Sequence, residues 1–249
     1  MQMKKVHLIL QSKGGCGKSL LTWFLANYYA DKEDVYFMDV DESTKTSSSR
    51  LEGILSPGRV SFFPILNEQK RLERELFLAM FERIARLNAN LVFLDFGAPE
   101  SEEFKKLLEF EISAESLVEE LRELGIELVL FVVVAGRDAF TSSIRFYDAL
   151  LSLANSTIET RLLMNEGTYG GIEAVAMAKQ NLLAMDIPTV YSFGNLGDSQ
   201  SGKDIIKIVA SGQKPEQMSL AVKLTFKKAM SQVEQLMRAN DDRDQTGEV

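Results

Sequence analysis

Short, almost unbroken apolar runs alternate with longer stretches of helical spacing along the whole 249-residue chain. The runs at 6–10, 35–38, 60–65, 91–94, 127–134, 158–164 and 189–191 are rich in Val, Ile, Leu and Phe, and several show no alternation with polar residues. A strand covered on both faces requires that pattern. Between the runs, apolar residues recur at helical intervals and predict helices over 20–30, 69–87, 102–124, 141–154, 172–184, 203–210 and 217–238. Strand and helix in turn predict an α/β fold: a doubly wound, mostly parallel sheet with helices on both faces, a Rossmann-like three-layer sandwich. Residues 41–58, rich in Ser, Thr and Gly, predict a mobile loop. Neither a repeat nor a long Pro/Gly linker divides the chain, so 1–238 is expected to form one domain. The acidic and polar residues 239–249 are expected to form a disordered tail. Ligands of such sheets bind beyond the carboxyl ends of the strands.

The strongest chemical signal lies between the first strand and the first helix, where residues 12–19 read Ser-Lys-Gly-Gly-Cys-Gly-Lys-Ser. Gly14, Gly15 and Gly17 let backbone N–H groups turn inward, and the helix after them adds the positive end of its dipole. Lys18 can reach the β- and γ-phosphates of a nucleotide, and the Ser19 hydroxyl can take a place on Mg²⁺. This is a P-loop NTPase arrangement with two departures. Ser12 stands where the general motif has its first glycine, and a second lysine, Lys13, precedes the glycine pair. The nucleotide is expected to touch the run from Lys13 through Gly14, Gly15, Cys16, Gly17, Lys18 and Ser19 to Leu20.

Other strand ends carry acids and amides. The second strand closes on Asp39 and Asp41, which can hold a metal-bound water or orient an attacking one; two acids at a polar strand end are the plainer reading. The fourth closes on Asp95 followed by Gly97, the Walker B pattern, whose carboxylate can hold Mg²⁺ through water while the glycine lets the next loop respond to the γ-phosphate. Asn165 comes after the sixth strand, with donor and acceptor atoms that suit an adenine edge; a loop cap is the plainer alternative. Asn195, after the last strand, can close over a base. The Asn/Thr-Lys-x-Asp guanine motif is missing, which favours ATP over GTP. His7, Trp23, Phe24, Glu119 and Glu120 read as structural or solvated residues.

The Lys13-Gly14-Gly15-Cys16-Gly17-Lys18-Ser19 run resembles the deviant Walker A motif of the ParA/MinD family of ATPases. The likeness extends in motif order along most of the chain, including Pro188 and residues 211–215. It implies that Lys13 crosses a dimer interface to the partner's nucleotide, that Asp41 positions the hydrolytic water, and that Asn165 bonds adenine. Asp39 and Asp41 match the family's D-x-D-P switch, but Glu42 replaces its proline. A narrower likeness, to the plasmid conjugation proteins called TraL and their relatives called StbB, rests on residues 5–15, 95–98, 124–128, 133–136 and 165–170. The resemblance implies a cytoplasmic ATPase with Mg²⁺ held near Ser19, Asp39 and Asp95. It would form a homodimer on ATP binding and act with plasmid transfer or partition proteins or a DNA-bound adaptor. A nucleotide-binding adaptor with little hydrolysis, or an ATP-dependent metabolic enzyme, are the alternatives.

Composition narrows these further. A net charge of −8 argues against strong direct DNA binding, although Lys203, Lys207, Lys214, Lys223, Lys227 and Lys228 gather in the last third, as a basic patch or a solvated face. The single cysteine, Cys16, allows no intrachain disulfide and no iron–sulfur cluster built on this chain's thiols. No apolar run reaches the roughly 18 residues that span a bilayer, and with the first strand expected directly after Met1 to Lys5 no signal peptide is expected.

Overall fold

A computed structural model describes residues 3–42, 50–69, 71–185, 187, 189–197, 199–211 and 218–246, the last eight of these by backbone alone. Seven strands form one sheet in the order β3-β2-β4-β1-β5-β6-β7. They are β1 Lys4–Leu10, β2 Val35–Asp39, β3 Val60–Phe62, β4 Leu91–Asp95, β5 Ile126–Val134, β6 Glu159–Asn165 and β7 Val190–Phe193. Every neighbouring pair is parallel. This is the α/β sandwich that the alternation of patterns predicts, and all the carboxyl ends share one edge.

Alternation within each strand sends side chains to two cores. On one side Val6, Leu8 and Leu10 join Phe77, Phe81, Phe104, Leu117, Leu121 and Leu182. These come from α2 Arg74–Ala85, α3 Ala98–Phe110, α4 Ala114–Glu123 and α6 Ile172–Ala184, with α5 Phe140–Ala154 adding Ile144 and Leu150. On the other side Ile9, Phe37, Phe93 and Phe131 meet Leu21, Phe24, Ile205 and Val233. Those helices are α1 Lys18–Tyr28, α7 Gln200–Ser211 and α8 Leu220–Thr246. His7 lies inside this second core, its ring 4.5 Å from Phe131 and 5.1 Å from Phe93. Trp23 packs edge-on against Phe24 and Phe226.

Several boundaries differ from expectation, among them the helix expected over 69–87, which spans only Arg74–Ala85. The helix expected over 102–124 is two helices, because Ser113 caps a new one by accepting from the Ser116 N–H. The strand expected over 60–65 stops at Phe62; beyond it Ile65 and Leu66 are buried by packing rather than by pairing in the sheet. Helix α8 continues to Thr246, past the expected start of the tail. Residues 43–49 of the expected loop, Pro188, 212–215 and the last three positions lie outside the described residues. The rest of that loop is partly packed: Leu51 and Leu55 are buried in the second core. Lys203, Lys207, Lys223, Lys227 and Lys228 are all exposed. Among the described residues no helix is long and apolar enough to cross a membrane.

Candidate nucleotide site

The chain leaves β1 at Leu10 and turns through residues 11–17 before α1 begins at Lys18. Two left-handed glycines make the turn, Gly15 at φ 76° and Gly17 at φ 101°. Gly17 is the cap of α1, whose first turn carries no acid. The N–H groups of that turn therefore face an environment suited to an anion. Lys13, Gly14 and Gly15 are exposed, Ser19 and Leu20 are half-buried, and Cys16 and Lys18 are buried. The Cys16 sulfur lies 3.9 Å from the Ser143 hydroxyl, and burial pushes its thiol pKa up, which argues against a reactive cysteine.

Lys18 is held by a residue that the motif does not include. Its Nζ donates to the Gln11 carbonyl at 2.9 Å. The Gln11 amide donates to Val133 O at 2.7 Å, its Oε1 accepts from the Lys13 N–H at 3.3 Å, and its backbone N–H donates to the Ser101 hydroxyl at 3.1 Å. Gln11 and Ser101 thus tie the loop to β5 and to the helix after β4. Burial lowers the Lys18 pKa; Asp95, then the weaker charges of Cys16, Asp41 and Glu100, oppose that shift. A buried ammonium facing carboxylates is an arrangement that a polyphosphate with a divalent cation would complete.

Sheet register brings the acids together. Asp39 and Asp95 are direct partners across β2 and β4, and Asp95 is also paired with Ile9 just before the loop. Both acids are 1% exposed. Asp39 Oδ1 accepts from the Asp41 N–H at 3.1 Å. A methyl group built on Gly97 would lie 2.9 Å from Asp41 Oδ1, so Asp41 reaches the turn after Asp95. Among the described residues, no group of three His, Cys, Asp or Glu is placed to hold a metal alone. The donor set still fits Mg²⁺, which keeps several waters and takes its other oxygens from one hydroxyl or carboxylate and from substrate phosphates.

Glu100 belongs to this cluster although its sequence context gave no sign of it. It stands in the first turn of α3 and is 1% exposed. Its Oε1 accepts from the Glu42 N–H at 3.2 Å. Glu42 in turn accepts from the Leu66 N–H at 3.0 Å, which fixes the end of the second strand's loop.

The two asparagines lie together on the opposite rim. Asn165 is 3% exposed; its Nδ2 donates to Cys16 O at 2.9 Å and its Oδ1 accepts from the Gly167 N–H at 3.2 Å. It caps the short turn Glu166–Thr168 and braces the glycine loop at once. The Asn195 amide donates to Glu166 Oε2 at 2.7 Å, and Lys179 pairs with Glu166 Oε1 at 2.7 Å. Burial raises the Glu166 pKa, but the Lys179 hydrogen bond and charge, with the Asn195 contact, more than reverse it. Beside this network lies a cavity of about 890 Å³ lined by Glu166, Gly167, Ile172, Lys179 and Asn195 among others; residues 12–19 do not line it.

No protein-family model and no curated protein matches the chain. Among solved structures it is similar to a putative plasmid partition protein from Borrelia burgdorferi B31 bound to AMPPNP, at 12% identity and a TM-score of 0.54. That match covers 95% of this chain and 99% of the other. A second plasmid partition protein from Borrelia burgdorferi matches at 12% identity and a TM-score of 0.43, covering 84% of this chain and 97% of the other. The first likeness, together with the strand–loop–helix geometry, gives the chain the P-loop NTPase fold.

Proposed function

We propose that the protein is an ATP-binding and ATP-hydrolysing switch that closes into a face-to-face homodimer when nucleotide binds. One observation carries this: a glycine loop opening α1 brings the buried Lys18 within the electrostatic reach of Asp95 and Asp41, and Asp95 is paired across the sheet with Asp39. On this reading the loop N–H groups and Lys18 bind the phosphates. Ser19, Asp39 and Asp95 would hold Mg²⁺, which neutralises charge developing on the phosphates. Asp41 orients the attacking water. Adenine lies against the loops of Asn165 and Asn195. Lys13, exposed at the mouth of the loop, reaches the partner's nucleotide; phosphate charge makes that crossing favourable only when nucleotide is present. A solved structure of similar fold carries AMPPNP and is described as a plasmid partition protein, which supports ATP and a plasmid role. We place the protein in the cytoplasm, acting with plasmid transfer or partition proteins, where release of phosphate frees the Asp41 and Asp95 loops and the dimer opens.

Lys13→Ala is expected to bind ATP within about threefold of wild type while forming no ATP-dependent dimer, since Lys13 is exposed in its own subunit. Light scattering with a non-cleavable analogue reads this, and a variant that dimerises normally refutes the role across the interface. Asp41→Ala is expected to retain ATP and the dimer but to slow phosphate release by about a hundredfold, as for the loss of a positioned acid–base group. Wild-type release from that variant would exclude Asp41. A wild-type protein that ignores adenine nucleotides in calorimetry overturns the whole reading.

A further inference from the structure

The buried carboxylate of Glu100 has one oxygen for which the described residues provide no donor. Oε1 is bonded to the Glu42 N–H. Oε2 is fully shielded and has no hydrogen-bond partner among the described residues. It crowds the turn after Asp95 so closely that a methyl group on Gly97 would overlap it, and Asp41 Oδ1 borders the same point at 2.9 Å. Two carboxylates thus converge on one spot within the electrostatic reach of Lys18. Burial raises the Glu100 pKa; the N–H groups of Glu100 and Glu42 act against this, and the Asp41 and Glu42 charges add to it. An unpaired carboxylate oxygen in such a place costs free energy unless a ligand brings the missing donor.

Resting on the ATPase reading, we infer that Glu100 is a second carboxylate of the hydrolysis step. It fixes the Asp41–Glu42 backbone through Oε1; when the turn at Gly97 shifts with the γ-phosphate and uncovers Oε2, that oxygen accepts a hydrogen bond from the same attacking water that Asp41 orients. The water oxygen bonds to the γ-phosphorus, and the bond from that phosphorus to the β–γ bridging oxygen breaks. ADP leaves with the electron pair, and both water hydrogens depart on the released dihydrogen phosphate. Glu100 gains and loses no proton. The Glu42 N–H is essential to the arrangement, and a proline at that position would have none to give. The departure from the resembled switch pattern at 42 and the buried acid at 100 are therefore two halves of one contact.

Glu100→Gln tests this, because the amide separates the two oxygens. The Glu42 N–H selects the amide carbonyl, so the brace survives, and an NH₂ donor replaces the acceptor at the Oε2 position. Mant-ATP affinity within about threefold of wild type and single-turnover hydrolysis at least about tenfold slower are expected. Hydrogen exchange at the Glu42 amide should stay at the wild-type rate in Glu100→Gln and rise at least about tenfold in Glu100→Ala, where the brace is lost. In the Asp41→Asn/Glu100→Gln double variant, hydrolysis should slow no more than about threefold beyond the slower single, since both groups act on one water. Wild-type hydrolysis by Glu100→Gln, or fully multiplicative losses in the double variant, overturns the inference while leaving the ATPase reading intact. Wild-type protein with no ATP turnover overturns both.

Discussion

Lys18→Ala is expected to weaken ATP binding by at least about a hundredfold, ~2.7 kcal/mol. The effect is large because this ammonium is both buried and surrounded by acids. Asp95, Asp41 and Glu100 all act on it electrostatically. Without it, a triphosphate would meet those carboxylates with only backbone N–H groups and the proposed Mg²⁺ in compensation. On the proposed reading, its bond to the Gln11 carbonyl would be exchanged for bonds to the nucleotide phosphates. Isothermal calorimetry with ATP and Mg²⁺ reads the outcome, and unchanged affinity would refute the assignment of residues 12–19 as a phosphate site.

Gly17→Ala should destabilise the folded protein by ~3 kcal/mol through left-handed strain and overlap together, lowering the melting temperature by roughly 6–12 °C for a chain of this size. Gly17 sits at φ 101°, and an added Cβ would collide with Asn165 Nδ2. That amide cannot swing away cheaply, because it is buried and donates to Cys16 O. Gly14→Ala is the matched control: nothing lies within 4 Å of its added Cβ, and its backbone carries no positive φ. It should melt within about 1 °C of wild type, surface substitutions free of such features being nearly neutral. A thermal melt of Gly17→Ala that overlays wild type would mean that Asn165 does not brace the loop.

Much of the architecture was readable in the chain because burial on both faces writes itself as unbroken apolar strands. The glycine loop between β1 and α1 was equally readable, since its glycines and lysine lie within eight consecutive residues. The break in the helix after Asp95 was signalled by Ser113, yet the charged, apolar-striped run on both sides masked it. Gln11, Ser101 and Glu100 left no such mark. Each is an ordinary polar residue next to a motif, and its partner lies far away in sequence: Gln11 bonds across to Val133, and Glu100 to Glu42. Asn165 carried two meanings in sequence, and only its distance to Cys16 O revealed the bracing contact.

The sequence by itself determined the layers, the parallel sheet and the place of the glycine loop, because those arise from local periodicity and from backbone freedom at a few glycines. Tertiary structure alone decided which acids act on Lys18 and which oxygen of Glu100 is left without a donor among the described residues. Those facts depend on the register that sets Asp39 against Asp95, and on a helix start that carries Glu100 back to residue 42. No local pattern encodes a meeting between side chains so far apart along the chain.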